Sequence, residues 1–364
     1  MSSQPTGYDR FANRNSREEP TMIHWQHLFV LGMAFSGFAG SMVYAATPAP
    51  SGDASIVSPE SKVEELWVDK GFTEGACVDV DGIIYFSDIN FAGGLGKIMA
   101  FDPATGKTTV FSADSGQSNG LMIDQKGKML AACGANNGKQ CLAQISKKGK
   151  VKCLIDNFEG KKFNAPNDLV VHPQGWVYFT DPRYVGTEPL ELDHMSVYRY
   201  DPKTKTVHRA TTDISKPNGT VVSPDGKTLY VAETDNGATG LEQDPPKDPK
   251  KRMTLNAFPI QEDGALGKKT VLADFGGKET GIDGMTVDQK GNIYTAFRAE
   301  SRFGIVVFSP EGKELAYIPT PTTPTNCTFG IGDDASTLYI TAGSGLYRIP
   351  CKIPGFHPSL PVKQ

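Results

Sequence analysis

One pattern of apolar and polar positions recurs along the chain: a turn around glycine, then a short alternating run rich in Tyr, Val, Ile or Leu. Its copies are VDVDGIIYFSD (78–88), IDQKGKMLAAC (123–133), VHPQGWVYFTD (171–181), VSPDGKTLYVAE (222–233), VDQKGNIYTAF (287–297) and GDDASTLYITA (332–342). The marker positions Gly82, Gly127, Gly175, Gly226, Gly291 and Ala335 are spaced by 45, 48, 51, 65 and 44 residues. Each copy leads into a second strand–turn–strand pattern, such as KIMAFDPATGKTTVF (97–111) or SVYRYDPKTKTVHRA (196–210). Period-2 alternation bounded by turn residues marks strands, and no helical period competes with it. Four strands per repeat, six times over, predict an all-β, six-bladed β-propeller. The sixth repeat reaches GLYRIP (345–350) and then runs into prolines. Its missing outer strand is therefore expected from KVEELWVD (62–69), closing the ring with the N-terminal strand in the last blade. The long interval holds GATGLEQDPPKDPKKRM (237–253), expected as a surface loop.

The N-terminal region departs from this pattern. Leu28 to Val43 is an uncharged run of small and apolar residues, and Val43-Tyr44-Ala45 offers small residues at a cleavage site. Such a run resembles a secretory signal, and its sixteen residues are short for a membrane span, the rival reading. The expected division is a signal peptide at 1–45, a linker at 46–61, the propeller at 62–353 and a C-terminal tail at 354–364. The chain is expected to be exported, to the periplasm or beyond. Six cysteines suit an oxidising compartment. Cys133 and Cys141 flank the turn-rich GANNGKQ and are expected to face each other across a hairpin, and no Cys/His metal spacing occurs. A net charge of −4 gives no support to nucleic-acid or anionic-membrane binding.

Candidate chemistry appears eight residues before each marker. Those positions are Glu74, Asn119, Asn167, Asn218 and Asp283, with Cys327 beside Asn326 in the sixth repeat. In a propeller, equivalent positions are related by rotation, so these side chains are expected to converge at the channel mouth. Asn-Gly and Asp-Gly are also turn dipeptides, which offers a purely structural account. Two facts favour coordination instead: Glu74 is a poor turn residue, and Asn167 precedes Asp168 rather than glycine. Two carboxylates converging with amides need a cation between them. A donor set of Glu, Asn, Asn and Asp offers only hard oxygens, which suits Ca²⁺ or another hard divalent ion and disfavours Zn²⁺. Gly116-Gln117-Ser118-Asn119-Gly120 matches the G-x-S-x-G elbow only formally, because no helix follows it.

At these residues the sequence resembles the SMP-30/gluconolactonase/luciferin-regenerating-enzyme family of six-bladed propeller hydrolases. FTEGACVDVDGIIYFSD, APNDLVVHPQGWVYFTDPRY, KPNGTVVSPDGKTLYVAET, IDGMTVDQKGNIYTAF and TNCTFGIGDDASTLYITA carry the likeness across residues 72–342. The resemblance implies a divalent site from Glu74, Asn167, Asn218 and Asp283, with Asp283 also the general base for water attack on a metal-polarised lactone carbonyl. Asn119 would then be a channel neighbour touching substrate. Arg183 and Tyr184, just after the third inner hairpin, are candidates to hydrogen-bond substrate hydroxyls. The chain departs from some sugar-lactone members at Ala165, where they carry Arg, and at Val185, which replaces Gly. The expected activity is a gluconolactonase-like hydrolase of small lactones. A calcium-stabilised binding module and a phosphotriester hydrolase on the same site are the alternatives.

Overall fold

A computed structural model of the chain describes residues 47–92, 94–237, 252–277 and 279–360. The expected signal peptide and most of the 237–253 loop lie outside the described residues. The described chain forms the six-bladed propeller. Five blades follow in order, beginning with the strands Phe72–Val78, Ser118–Ile123, Leu169–Val171, Pro217–Val222 and Ile282–Asp288. Blade six runs inside to outside as Pro324–Phe329, Thr337–Ala342, Gly345–Pro350 and then Glu64–Val68. The N-terminal strand thus closes the ring, with Glu64 opposite Arg348 and Val68 opposite Gly345.

The marker glycines exist because each tight turn needs a positive φ; Gly82, Gly127, Gly175, Gly226 and Gly291 have φ between 70 and 93°. In the sixth copy a short 3₁₀ turn, Gly332–Asp334, takes over, so Ala335 can sit at φ −59°.

Each blade buries both faces, so the core is divided into six apolar clusters, one between each pair of neighbouring blades. Consecutive residues point to opposite faces. Tyr178 packs towards blade four with Val222 and Phe258, while Val177 and Phe179 pack towards blade two with Leu130 and Leu142. This explains why the second strands read as nearly continuous apolar runs.

Both flanking segments differ from expectation. The expected linker is partly built into blade five: Ser51 and Gly52 pair with the outer strand Glu314–Pro319, and Ile56 and Val57 are buried in the cluster between blades five and six. An outer strand leaves one row of peptide groups unpaired, and this segment covers part of it. Residues 354–360 of the expected tail are likewise ordered. Gly355–Phe356 pairs with Asp288 and Val287 at the lower end of the blade-five inner strand, and Leu360 packs against the clusters flanking blade one.

The disulfide also differs. Cys133 and Cys141 do lie opposite each other in the sheet, but Cys141 bonds Cys153 on the outermost strand, where the Cα atoms are 5.8 Å apart. Cys133 stays a buried thiol whose Sγ lies 3.5 Å from the Ser115 carbonyl.

Candidate active site

The candidate residues sit where the inner strands begin, and most of them lie at or within a β-bulge. Register shifts fall between Glu74 and Cys77, Ser118 and Leu121, Pro217 and Thr220, and Ile282 and Met285. A bulge re-aims the side chain it carries, which is how a residue inside a strand comes to face the mouth. In blade three the strand starts only at Leu169, so Asn167 lies just ahead of it.

Gly75, Gly120, Gly219 and Gly284, which follow four of the candidates, each sit where a side chain would collide with the neighbouring strand entry. A Cβ on Gly75 would lie 1.9 Å from the Asn119 carbonyl oxygen, and one on Gly219 would lie 2.1 Å from that of Asp283. The strand entries therefore touch in sequence around the ring. Gly120 N–H donates to the Asn167 carbonyl (2.7 Å), Thr220 N–H to the Asp168 carboxylate (3.0 Å), and Thr325 Oγ1 to the Thr73 carbonyl (2.7 Å).

Within this ring, Glu74, Asn218 and Asp283 form one electrostatic cluster. Each is at most 4 % exposed. Asn218 lies beside Asp283 and favours its ionised form, while the Glu74 Oε2 accepts the Gly75 N–H at 3.1 Å. Burial and the charge of Asp283 push the Glu74 carboxyl well above its usual range, and burial also raises Asp283. Asn119 and Asn167 are half-buried and join the ring through backbone contacts.

Arg298 and Asp168 were not among the candidates, and the sixth place goes to the neighbour of the counted position. Arg298, one residue past the strand Ile293–Phe297, forms an ion pair with Asp283 Oδ2. Asp168 holds the Leu169 and Thr220 N–H groups, and burial pushes its pKa to about 7. Asn326, not Cys327, fills the sixth place: a Cβ on Gly284 would meet its amide within 2.5 Å, whereas Cys327 is buried among apolar residues. Asp168 was visible beside Asn167, and Arg298 stands across the hairpin from Asp283, but only the bulge makes that pair meet.

The two expected mouth residues part company. Tyr184 lies beside the cluster, its hydroxyl donating to the Thr234 carbonyl (3.0 Å), and burial and the charge of Asp283 push its pKa up. Arg183 is turned inward. It is fully buried, and its guanidinium donates to the Asn164 carbonyl at 3.1 and 2.7 Å and to the Glu188 carbonyl at 2.7 Å. Its ion pair is with Glu188, 3.8 Å away, and with the side chain 0 % exposed it is not presented to a substrate hydroxyl.

The residues fit a hard dication. Asn218 Oδ1 is a buried carbonyl oxygen with no hydrogen-bond donor. Glu74 and Asp283 are buried carboxylates that act on the Arg298 guanidinium, and the buried Asp168 carboxylate lies close enough to raise Glu74 further. A charge of +2 would bring that sum to zero. Among the described residues no three His, Cys, Asp or Glu side chains cluster closely enough to ligate one ion, so a cation here would draw on amide oxygens as well. Below the cluster the channel narrows to a cavity of about 40 Å³, lined by Asp168, Thr220, Thr286, Asn326 and Thr328 and floored by Phe356 to Leu360. That is room for roughly one water, so a substrate has to enter from the mouth.

Comparison with known proteins agrees with this architecture. Gluconolactonase from Zymomonas mobilis is 29 % identical over 248 residues, covering 65 % of this chain and 63 % of that protein, so the match spans less than two thirds of the relative's length. A solved gluconolactonase from Xanthomonas campestris superposes with a TM-score of 0.69 at 27 % identity, covering 84 % of this chain and 94 % of that one. Regucalcin from Agrobacterium tumefaciens, a calcium-binding protein, shares the fold at 22 % identity and a TM-score of 0.64, covering 82 % and 97 % of the two chains. The SMP-30/Gluconolactonase/LRE-like region model matches residues 72–344, the ring from its first inner strand to its last blade, and the chain belongs to that family.

Proposed function

We propose that the protein is an exported, divalent-cation-dependent lactonase whose reaction takes place at the mouth formed by Glu74, Asn167, Asn218 and Asp283. One observation carries the reading: a buried cluster of carboxylates and amides where the inner strands of a gluconolactonase-family propeller begin. Glu74, Asn218 and Asp283 would hold the cation, with Asn167 completing the set, and hard oxygen donors favour Ca²⁺. When bound, the ion supplies a Lewis acid for the lactone carbonyl. Asp283 accepts a proton from the attacking water as the ring C–O bond breaks, and the proton returns to the leaving alkoxide, giving a hydroxy acid. Arg298 and Asn218 oppose the effect of burial on Asp283 and favour the ionised base. Tyr184 and Asn119 stand where they can contact a ring hydroxyl. The Cys141–Cys153 disulfide supports the exported assignment.

The test is a pH-indicator hydrolysis assay on aldonolactones and simple alkyl lactones, metal-stripped and then with Ca²⁺ restored. Turnover should vanish on chelation, return with Ca²⁺, and fall at least about 100-fold in Asp283→Asn, the scale of a lost general base. Full activity in that variant would remove Asp283 from the reaction. Absent turnover with Ca²⁺ still raising the melting temperature would move the function to binding.

A further inference from the structure

Arg298 lies inside the oxygen cluster rather than on its rim. Its guanidinium bonds Asp283 Oδ2, is attracted by the Glu74 carboxylate, and sits 5.8 Å from the centre of the Phe72 ring. Its Nε is buried without a hydrogen-bond partner, while the side chain as a whole is 27 % exposed. The backbone fixes its root, because Arg298 N–H donates to the Gly281 carbonyl at 2.9 Å. The head can thus be drawn towards the mouth without moving the strand.

We propose that Arg298 is a built-in counter-ion that contests Asp283 with the divalent cation, weakening metal binding and holding the carboxylates in place when no metal is bound. This rests on the reading of the mouth as a divalent-cation site. An Asp283 oxygen engaged by a guanidinium is a poorer ligand, and two cations a few ångströms apart repel strongly where water is scarce. Without the guanidinium, Glu74 and Asp283 would lose the cation that offsets their mutual repulsion. The arrangement follows from the residue just past the second strand of blade five.

Calorimetric titration of CaCl₂ into the wild-type protein, Arg298→Gln and Arg298→Lys tests this without any substrate. Arg298→Gln should bind Ca²⁺ on the order of tenfold or more tightly and melt lower than wild type when metal-free. Arg298→Lys keeps the charge and should stay close to wild-type affinity. Loss of mere packing would weaken binding, so tightening is the distinguishing sign. Binding by Arg298→Gln alone would also support the proposal, since the guanidinium would then fill the wild-type site. Unchanged or weaker binding by a folded Arg298→Gln, with wild type still binding, overturns the proposal and leaves the lactonase reading standing. No binding by any of the three removes the cation site and the proposal with it. If Arg298→Gln folds only in Ca²⁺, the counter-ion role is supported; if Ca²⁺ does not rescue it, the role is overturned.

Discussion

At the scale of single residues, the site depends on buried charges held by backbone donors. Asp181 accepts N–H bonds from Asn164 (2.9 Å) and Ala165 (2.8 Å) and so fixes the segment that carries Asn167. Burial pushes its pKa to about 7, against these bonds and the nearby Arg183. A folded-state value above the unfolded one means the proton stabilises the fold. That contribution is complete below about pH 4 and is lost as pH rises through about 7. Asp181→Asn has no proton to lose. Its melting temperature should therefore fall less than that of wild type between about pH 5 and 8, starting about 1–3 kcal/mol less stable because one N–H loses its acceptor. Parallel melting curves across that range would place the ionisation elsewhere. Glu74, Asn218 and Asp283 were legible in the sequence, because a fixed offset from a turn glycine is a local property. Arg183 was misread for the converse reason. An arginine beside a mouth looks available until its burial and the carbonyls it donates to are seen.

At the scale of elements, the bulges and the sheet edges matter most. Each bulge turns a strand position into a mouth position, and each outer edge needs a cover. Blade two has its cover stapled: Cys141 and Cys153 are 12 residues apart and join its two outer strands. Closing a loop of that size is worth about 2–3 kcal/mol. Cys153→Ser should lose about that much in urea unfolding, and reductant should then change nothing further. Cys133→Ser should keep the wild-type response to reductant, whereas loss of that response would mean Cys133 shares in the bridge. The strands and the closing role of residues 62–69 were readable from alternation. The partner of Cys141 was not, because three strands of one blade bring several cysteines within bonding range of one another.

At the scale of the whole molecule, the ring has one working end. The candidate residues begin the inner strands, while Gly355–Phe356 and Leu360 close the opposite end. Truncation after Pro354 removes Phe356 and Leu360 from apolar clusters and should cost about 2–4 kcal/mol. Calcium affinity should change only a few-fold, because every proposed donor lies at the other end. A large loss of affinity would show that the plug also shapes the mouth.

Sequence alone determined the blade count, the closure of the ring and the placing of Glu74, Asn218 and Asp283 at the strand entries. Those features are written in period-2 alternation, turn glycines and a constant offset, all of them local along the chain. Only the tertiary structure decided that Arg298 faces Asp283, that Asp168 shares their cluster, that Arg183 turns inward and that the last residues plug the channel. Each of these joins residues from different strands, blades or loops through bulges and close backbone approach, and a burial that a linear pattern does not encode sets the charges.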